Sequence, residues 1–196
     1  MPGEPFTRAP GTRFDWWRAR MLGGRTNHWG RISLRFGPHD FRGKSRDGLG
    51  DDWPIGYEDL KPWYDEVDRL VGIFGSVEGL ENHPDGVFLP PPKPRCWELL
   101  VKQAADKHSV TCIPSRLSII TRPHNGRAAC HYCGQCNRGC AVNANFSSTN
   151  VLVLPALETG RLTLITDAMA REITLDARGR ADGVLYIDKR TRTEQR

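Results

Sequence analysis

The stretch Leu22-Gly23-Gly24-Arg25-Thr26-Asn27-His28-Trp29-Gly30-Arg31 sets paired glycines ahead of hydrogen-bonding and aromatic side chains. Paired glycines let a backbone approach a flat or phosphorylated ligand closely, because no Cβ intervenes and positive φ is open to them. Thr26, Asn27 and His28 add donors and acceptors, and Trp29 adds a stacking face, so the turn has the chemistry of a cofactor-contact loop. An ordinary Gly-Gly turn beside a buried tryptophan has the same composition, and other parts of the chain must decide between the two.

A second stretch, Cys130-His-Tyr-Cys133-Gly-Gln-Cys136-Asn-Arg-Gly-Cys140, holds four of the six cysteines. Its x2, x2, x3 spacing is that with which iron–sulfur loops turn successive thiolates onto one cluster, and Gly134 and Gly139 suit a tightly wrapped loop. Structural zinc more often draws on two separated pairs, and a disulfide knot requires an oxidising compartment; spacing leaves both open. Ala141 stands where ferredoxin runs carry proline, and the run occurs once, so Cys96 or Cys112 is available as a remote ligand in place of Cys140.

At 196 residues and 38% hydrophobic, the chain can bury one core or two small ones and is not of disordered composition. Lys and Arg number 28 against 23 acidic residues, and the formal charge of +5 fits a solvated surface better than a nucleic-acid stripe, because the basic residues are scattered. No apolar run reaches the ~20 residues that span a membrane. The start, Met1-Pro-Gly-Glu-Pro5, has no signal-peptide core. Fourteen prolines and twenty glycines imply long loops crossing a larger body.

Apolar anchors are expected in Phe14-Asp15-Trp16-Trp17 and Met21-Leu22. Leu60, Trp63, Tyr64, Val67, Leu70, Val71 and Phe74 recur at helical steps and predict an amphipathic helix with Pro62 in its first turn and the aromatic stripe in the core. The run Leu89-Pro-Pro-Pro-Lys-Pro94 predicts an extended spacer, and Trp97 to His108 a second amphipathic helix. Short strands are expected at 110–113, 117–121 and 162–166. An antiparallel meander should follow at 169–175 and 181–187, with a third strand beginning near Thr191. Between them Asn150 to Leu157 reads as a short helix or irregular turn closed by Gly160.

Gly23-Gly24-Arg25-Thr26-Asn27-His28-Trp29 resembles the flavin-contacting second signature of the glucose-methanol-choline (GMC) oxidoreductases. Asp51-Asp52-Trp53-Pro54-Ile55, with Tyr57-Glu-Asp-Leu60 and Pro62-Trp-Tyr64, is similar to the stretch leading into that family's substrate domain. The run from Gly134 to Cys140, then Ser147-Ser-Thr149 and Leu154-Pro155-Ala156, resembles the return into the flavin domain of its dehydrogenase-type members, and residues 162–188 resemble the strand and meander near the adenine.

The resemblance implies an α+β chain made of an incomplete FAD-binding domain, loops plus β-meander, with part of a GMC-type substrate domain. Residues 1–45 would be the flavin-contact region, 46–125 part of the substrate region, and 126–196 the cysteine loop and return to the flavin domain. It implies FAD held by Gly23, Gly24, Thr26, Asn27, His28, Trp29 and the backbone of Ala170, with His28 either hydrogen-bonding the flavin or linked to it covalently. An alcohol or sugar would be the hydride donor. An iron–sulfur cluster on Cys130, Cys133, Cys136 and Cys140 would relay electrons to a partner and make the enzyme a dehydrogenase. Neither the family's Gly-x-Gly-x-x-Gly turn nor its C-terminal catalytic histidine is found, so the chain reads as an internal piece of a longer enzyme, inactive alone. The rival from another class is a basic zinc module that binds nucleic acid or a protein partner.

Overall fold

The computed structural model describes residues 6–14 and 19–196, so the expected anchors Trp16 and Trp17 lie outside the described residues. Of the remaining anchors, Phe14 stands edge-on to Phe6 and is half exposed, and Met21 and Leu22 are exposed as well. Two compact units divide the chain, Met1–Val153 and Leu154–Arg196.

In the first unit, short helix α1 (Gly43–Asp47) is followed by α2 (Tyr57–Val71). α2 starts a turn earlier than its apolar pattern suggests, because Asp59 reaches back to accept the Gly56 N–H at 2.8 Å and satisfies a donor that the helix leaves open. Pro62 consequently sits inside the helix and not in its first turn. The predicted core stripe is corrected in part: its end, Val71 and Phe74, is buried, but its middle is not. Trp63 is 69% exposed, and Val67 and Leu70 are exposed too, while Tyr57, Asp68 and Val71 face inward.

The inward face is set by charge pairing. Residues 31–36 alternate, and the side chains that go inside are Arg31 and Arg35, leaving Ile32, Leu34 and Phe36 exposed. Arg35 donates to Asp68 at 2.5 Å, to Asp65 at 2.6 Å and to the Tyr57 hydroxyl at 3.1 Å. Arg116, 1% exposed, donates to Asp85 at 2.8 Å and to the carbonyls of His83 and Pro84, with its guanidinium 4.8 Å from the Phe88 ring centre. Asp65, Asp68 and Asp85 give Arg35 and Arg116 the anions without which their burial would cost several kcal/mol.

After α2, Gly72 turns at φ 78 into β1 (Ile73–Phe74), which pairs in parallel with β2 (Phe88–Leu89). This small sheet was not legible in a segment dense with proline and glycine. Around it Phe74, Leu89, Ile120 and Ala144 form the apolar core, and Leu117, Ile119, Cys130, Cys140 and Val142 pack on its margin. The proline run remains extended, and α3 (Cys96–Lys107) follows as expected, although none of its residues is buried. Residues 110–113 form no strand. Within 117–121, single bridges replace the expected ladder, joining Leu117 to Ile32 and Phe74, and Ile119 to Asn145.

The second unit opens with α4 (Leu154–Glu158), closed by Gly160 at φ 67. Residues 162–166, expected as a strand, have no regular structure. The meander is present: β3 (Ala168–Leu175), β4 (Ala181–Asp188) and β5 (Glu194–Gln195) pair antiparallel in that order. Its turn is held by the Asp176 carboxylate, which accepts the amides of Arg178 and Arg180 at 2.8 and 2.9 Å. No residue of this unit is buried.

Candidate functional site

Residues Gly24–Asn27 form a single 3₁₀ turn, entered through Gly23 at φ 87 and Gly24 at φ 50. Both glycines hold the left-handed conformation that side chains resist. Their surroundings differ. A Cβ on Gly23 would collide with Thr149 and Asn27, whereas one on Gly24 would meet nothing within 4 Å.

The polar side chains of the turn are engaged in building it. Thr26 Oγ1 lies 2.6 Å from the Gly23 carbonyl, 2.9 Å from the Ser148 hydroxyl, and accepts the Ser148 N–H at 2.9 Å. Asn27 Nδ2 donates to the carbonyls of Leu22 at 2.7 Å and Gly24 at 3.2 Å, and Thr149 Oγ1 donates to Leu22 O at 2.9 Å. Trp29 crosses to the same segment, donating from Nε1 to the Phe146 carbonyl at 3.3 Å with the two rings edge to face. Two stretches over a hundred residues apart in sequence thus make one locked turn. His28 is exposed, and its ring has no hydrogen-bond partner among the described residues.

Beneath the turn lies Arg31, 2% exposed and at φ 62, a residue that sequence reading did not single out. Its guanidinium donates to the carbonyls of Trp29 at 2.5 Å and Asn27 at 3.1 Å, and Nε is buried with no partner. Burial pushes its pKa down, and the neighbouring Cys136 and Cys140 work in the opposite direction.

Cys130, Cys133, Cys136 and Cys140 line one cavity of about 220 Å³, all as free thiols. Among the described residues, however, no three Cys, His, Asp or Glu side chains are grouped so as to hold a metal ion. The iron–sulfur expectation therefore finds no support here. In the loop Cys130 Sγ accepts the Tyr132 N–H and Cys140 Sγ the Ala144 N–H, each at 3.3 Å, and both residues pack on the core margin while Cys133 is exposed. Ala170, in the other unit, is exposed in β3 opposite Tyr186, beside a register shift that falls between Ala170 and Glu172.

The turn leaves glycine backbone open at Gly24 and an imidazole exposed, while Thr26 and Asn27 hold its shape. A family model described as GMC oxidoreductase matches residues 6–196. The 2-methyl-1,2-propanediol dehydrogenase of Mycolicibacterium austroafricanum is 36% identical over 175 residues, covering 87% of this chain and 31% of its own length. Paromamine 6'-oxidase of Streptomyces fradiae is 28% identical, covering 92% of this chain and 33% of its own. The gluconate 2-dehydrogenase flavoprotein of Pantoea cypripedii is 23% identical, covering 85% and 32%. The chain spans about a third of the length of the curated relatives it matches. Among the described residues no helix is long and apolar enough to cross a membrane.

Proposed function

The chain belongs to the GMC oxidoreductase family, and on that premise we propose that it supplies the flavin-facing turn of an FAD-dependent enzyme that oxidises the CH–OH group of an alcohol or sugar. The observation that carries this reading is the Gly23–Trp29 turn, braced from residues 146–149 and left open over Gly24. When bound, the flavin accepts the hydride that leaves the substrate carbon.

Gly23 and Gly24 bring backbone to the cofactor, and His28 meets it with a hydrogen bond. Thr26 and Asn27 act chiefly by fixing the turn, since their donors are already directed to Gly23, Gly24, Leu22 and Ser148. Trp29 anchors the turn to Phe146, and the Ala170 backbone serves the adenine end. A dehydrogenase passing electrons to a partner is the form of the enzyme we favour, in keeping with the name of the diol-oxidising relative. Family membership displaces the zinc-module alternative. The iron–sulfur cluster is the part of the reading without structural support, and metal and sulfide analysis of the purified protein tests it directly.

The test of the whole reading is a visible spectrum of the full-length enzyme that carries this chain, with and without alcohols or sugars under argon. Flavin absorption bands that bleach on addition of substrate are the expected result. A colourless protein that gains no colour with added FAD would reject the proposal. Acid precipitation then distinguishes the two roles of His28, because colour carried into the pellet means a covalent link.

A further inference from the structure

Arg31 is the buried charge for which the turn's chemistry has no use so far. Its backbone is strained into the left-handed region although it is not glycine, and its carbonyl is gripped by three donors: Ser118 N at 2.9 Å, Ser33 Oγ at 3.0 Å and Ser118 Oγ at 3.3 Å. That grip fixes where its side chain starts. From there the guanidinium forks to two carbonyls, those of Asn27 and Trp29, which lie immediately on either side of His28. The fork matters, because Arg presents donors in a rigid plane while a lysine ammonium is a single point.

The surroundings argue against a merely space-filling role. Two carbonyls are weak compensation for a buried cation, Nε has no partner, and from the cysteine loop Cys136 and Cys140 act on the charge only through their electrostatic influence. Asn145, itself buried, donates to the Cys136 carbonyl at 3.5 Å and so holds that part of the cysteine loop. A hydrophobic side chain would fill this space at lower desolvation cost if packing were the sole requirement.

We infer that Arg31 is a positioning residue for His28: its two-pronged hold on the flanking carbonyls sets the direction in which the imidazole is presented to the cofactor. The inference deepens the reading of the turn as a flavin surface and rests on it for its functional meaning.

The test compares wild type, Arg31→Met and Arg31→Lys in the whole protein, by amide hydrogen exchange and by visible circular dichroism of bound flavin. Exchange of residues 24–30 is expected to rise about tenfold in Arg31→Met, and by less in Arg31→Lys, on release of hydrogen bonds to a charged donor. Exchange of α2 should stay at the wild-type rate, and the flavin dichroism should change in sign or intensity without loss of bound flavin. Unchanged exchange at 24–30 in either variant overturns the inference, as does a rise there with flavin dichroism identical to wild type, which marks a bracing role alone. If Arg31→Met does not fold, Arg31→Lys decides by the same criteria. A wild type that binds no flavin fails the functional reading instead, and the two failures are therefore separable.

Discussion

At the scale of the residue, the two glycines of the turn make opposite demands. Gly23 is both left-handed and crowded, so Gly23→Ala should cost about 2–3 kcal/mol in urea unfolding, combining backbone strain with displacement of Asn27 and Thr149. Gly24 is left-handed but open, so Gly24→Ala should cost only about 1 kcal/mol while lowering bound flavin, because its methyl group enters the proposed contact surface. Equal losses of stability would show that the crowding at Gly23 has no energetic weight. Asp85 gives a pH signature. Burial alone would raise its pKa, but the amides of Glu78 and Gly79 and the Arg116 guanidinium outweigh burial and hold it below the usual carboxylate range. A carboxylate depressed in this way contributes stability above its unfolded pKa of about 4 and loses it as pH falls through the lower folded value. The urea midpoint should therefore fall on acidification from about pH 5 to pH 3, and Asp85→Asn should be less stable at neutral pH with a shallower acid decline. An acid decline in the variant as steep as that of wild type would assign the effect to other carboxylates.

At the scale of the element, α2 shows why an apolar stripe identifies only part of a buried face, since Val71 and Phe74 are buried and Trp63 is not. Its period was readable and the helix formed, yet the side that packs inward carries Asp68, drawn by Arg35, and the side with Trp63, Val67 and Leu70 is exposed. Trp63→Gln should change the stability of this chain by no more than about 0.5 kcal/mol, while Val71→Ala, at a buried position, should cost about 2 kcal/mol. Calorimetric melting of the two variants checks this, and a large loss in Trp63→Gln would mean that the stripe is packed after all. The residues 31–36 make the same point, since alternation marked an extended segment without saying that its arginines would take the inner side. The meander was the easier case, because Asp176 and Gly179 mark its turn chemically and pairing between neighbours in sequence needs no distant information.

At the scale of the molecule, both units present large apolar side chains to solvent: Ile32, Leu34, Phe36, Trp63 and Trp97 in the first, Met169, Ile173, Leu175 and Val184 in the second. Surface of that kind binds hydrophobic dyes, so the 196-residue chain should enhance anilinonaphthalene sulfonate fluorescence at neutral pH. No enhancement would show that these side chains are covered in solution. The family motif, both long helices, the extended proline run and the meander were legible in the chain because each depends on spacing, φ restriction or turn chemistry within a short window. What tertiary structure alone decided was the use of those parts: that Thr26, Asn27 and Trp29 brace against residues 146–149, that the four cysteines line a cavity without converging as metal ligands, and that Arg31 lies beneath His28. Those outcomes depend on which distant groups meet and on where buried charge finds a partner, and neither is encoded in the spacing of neighbours.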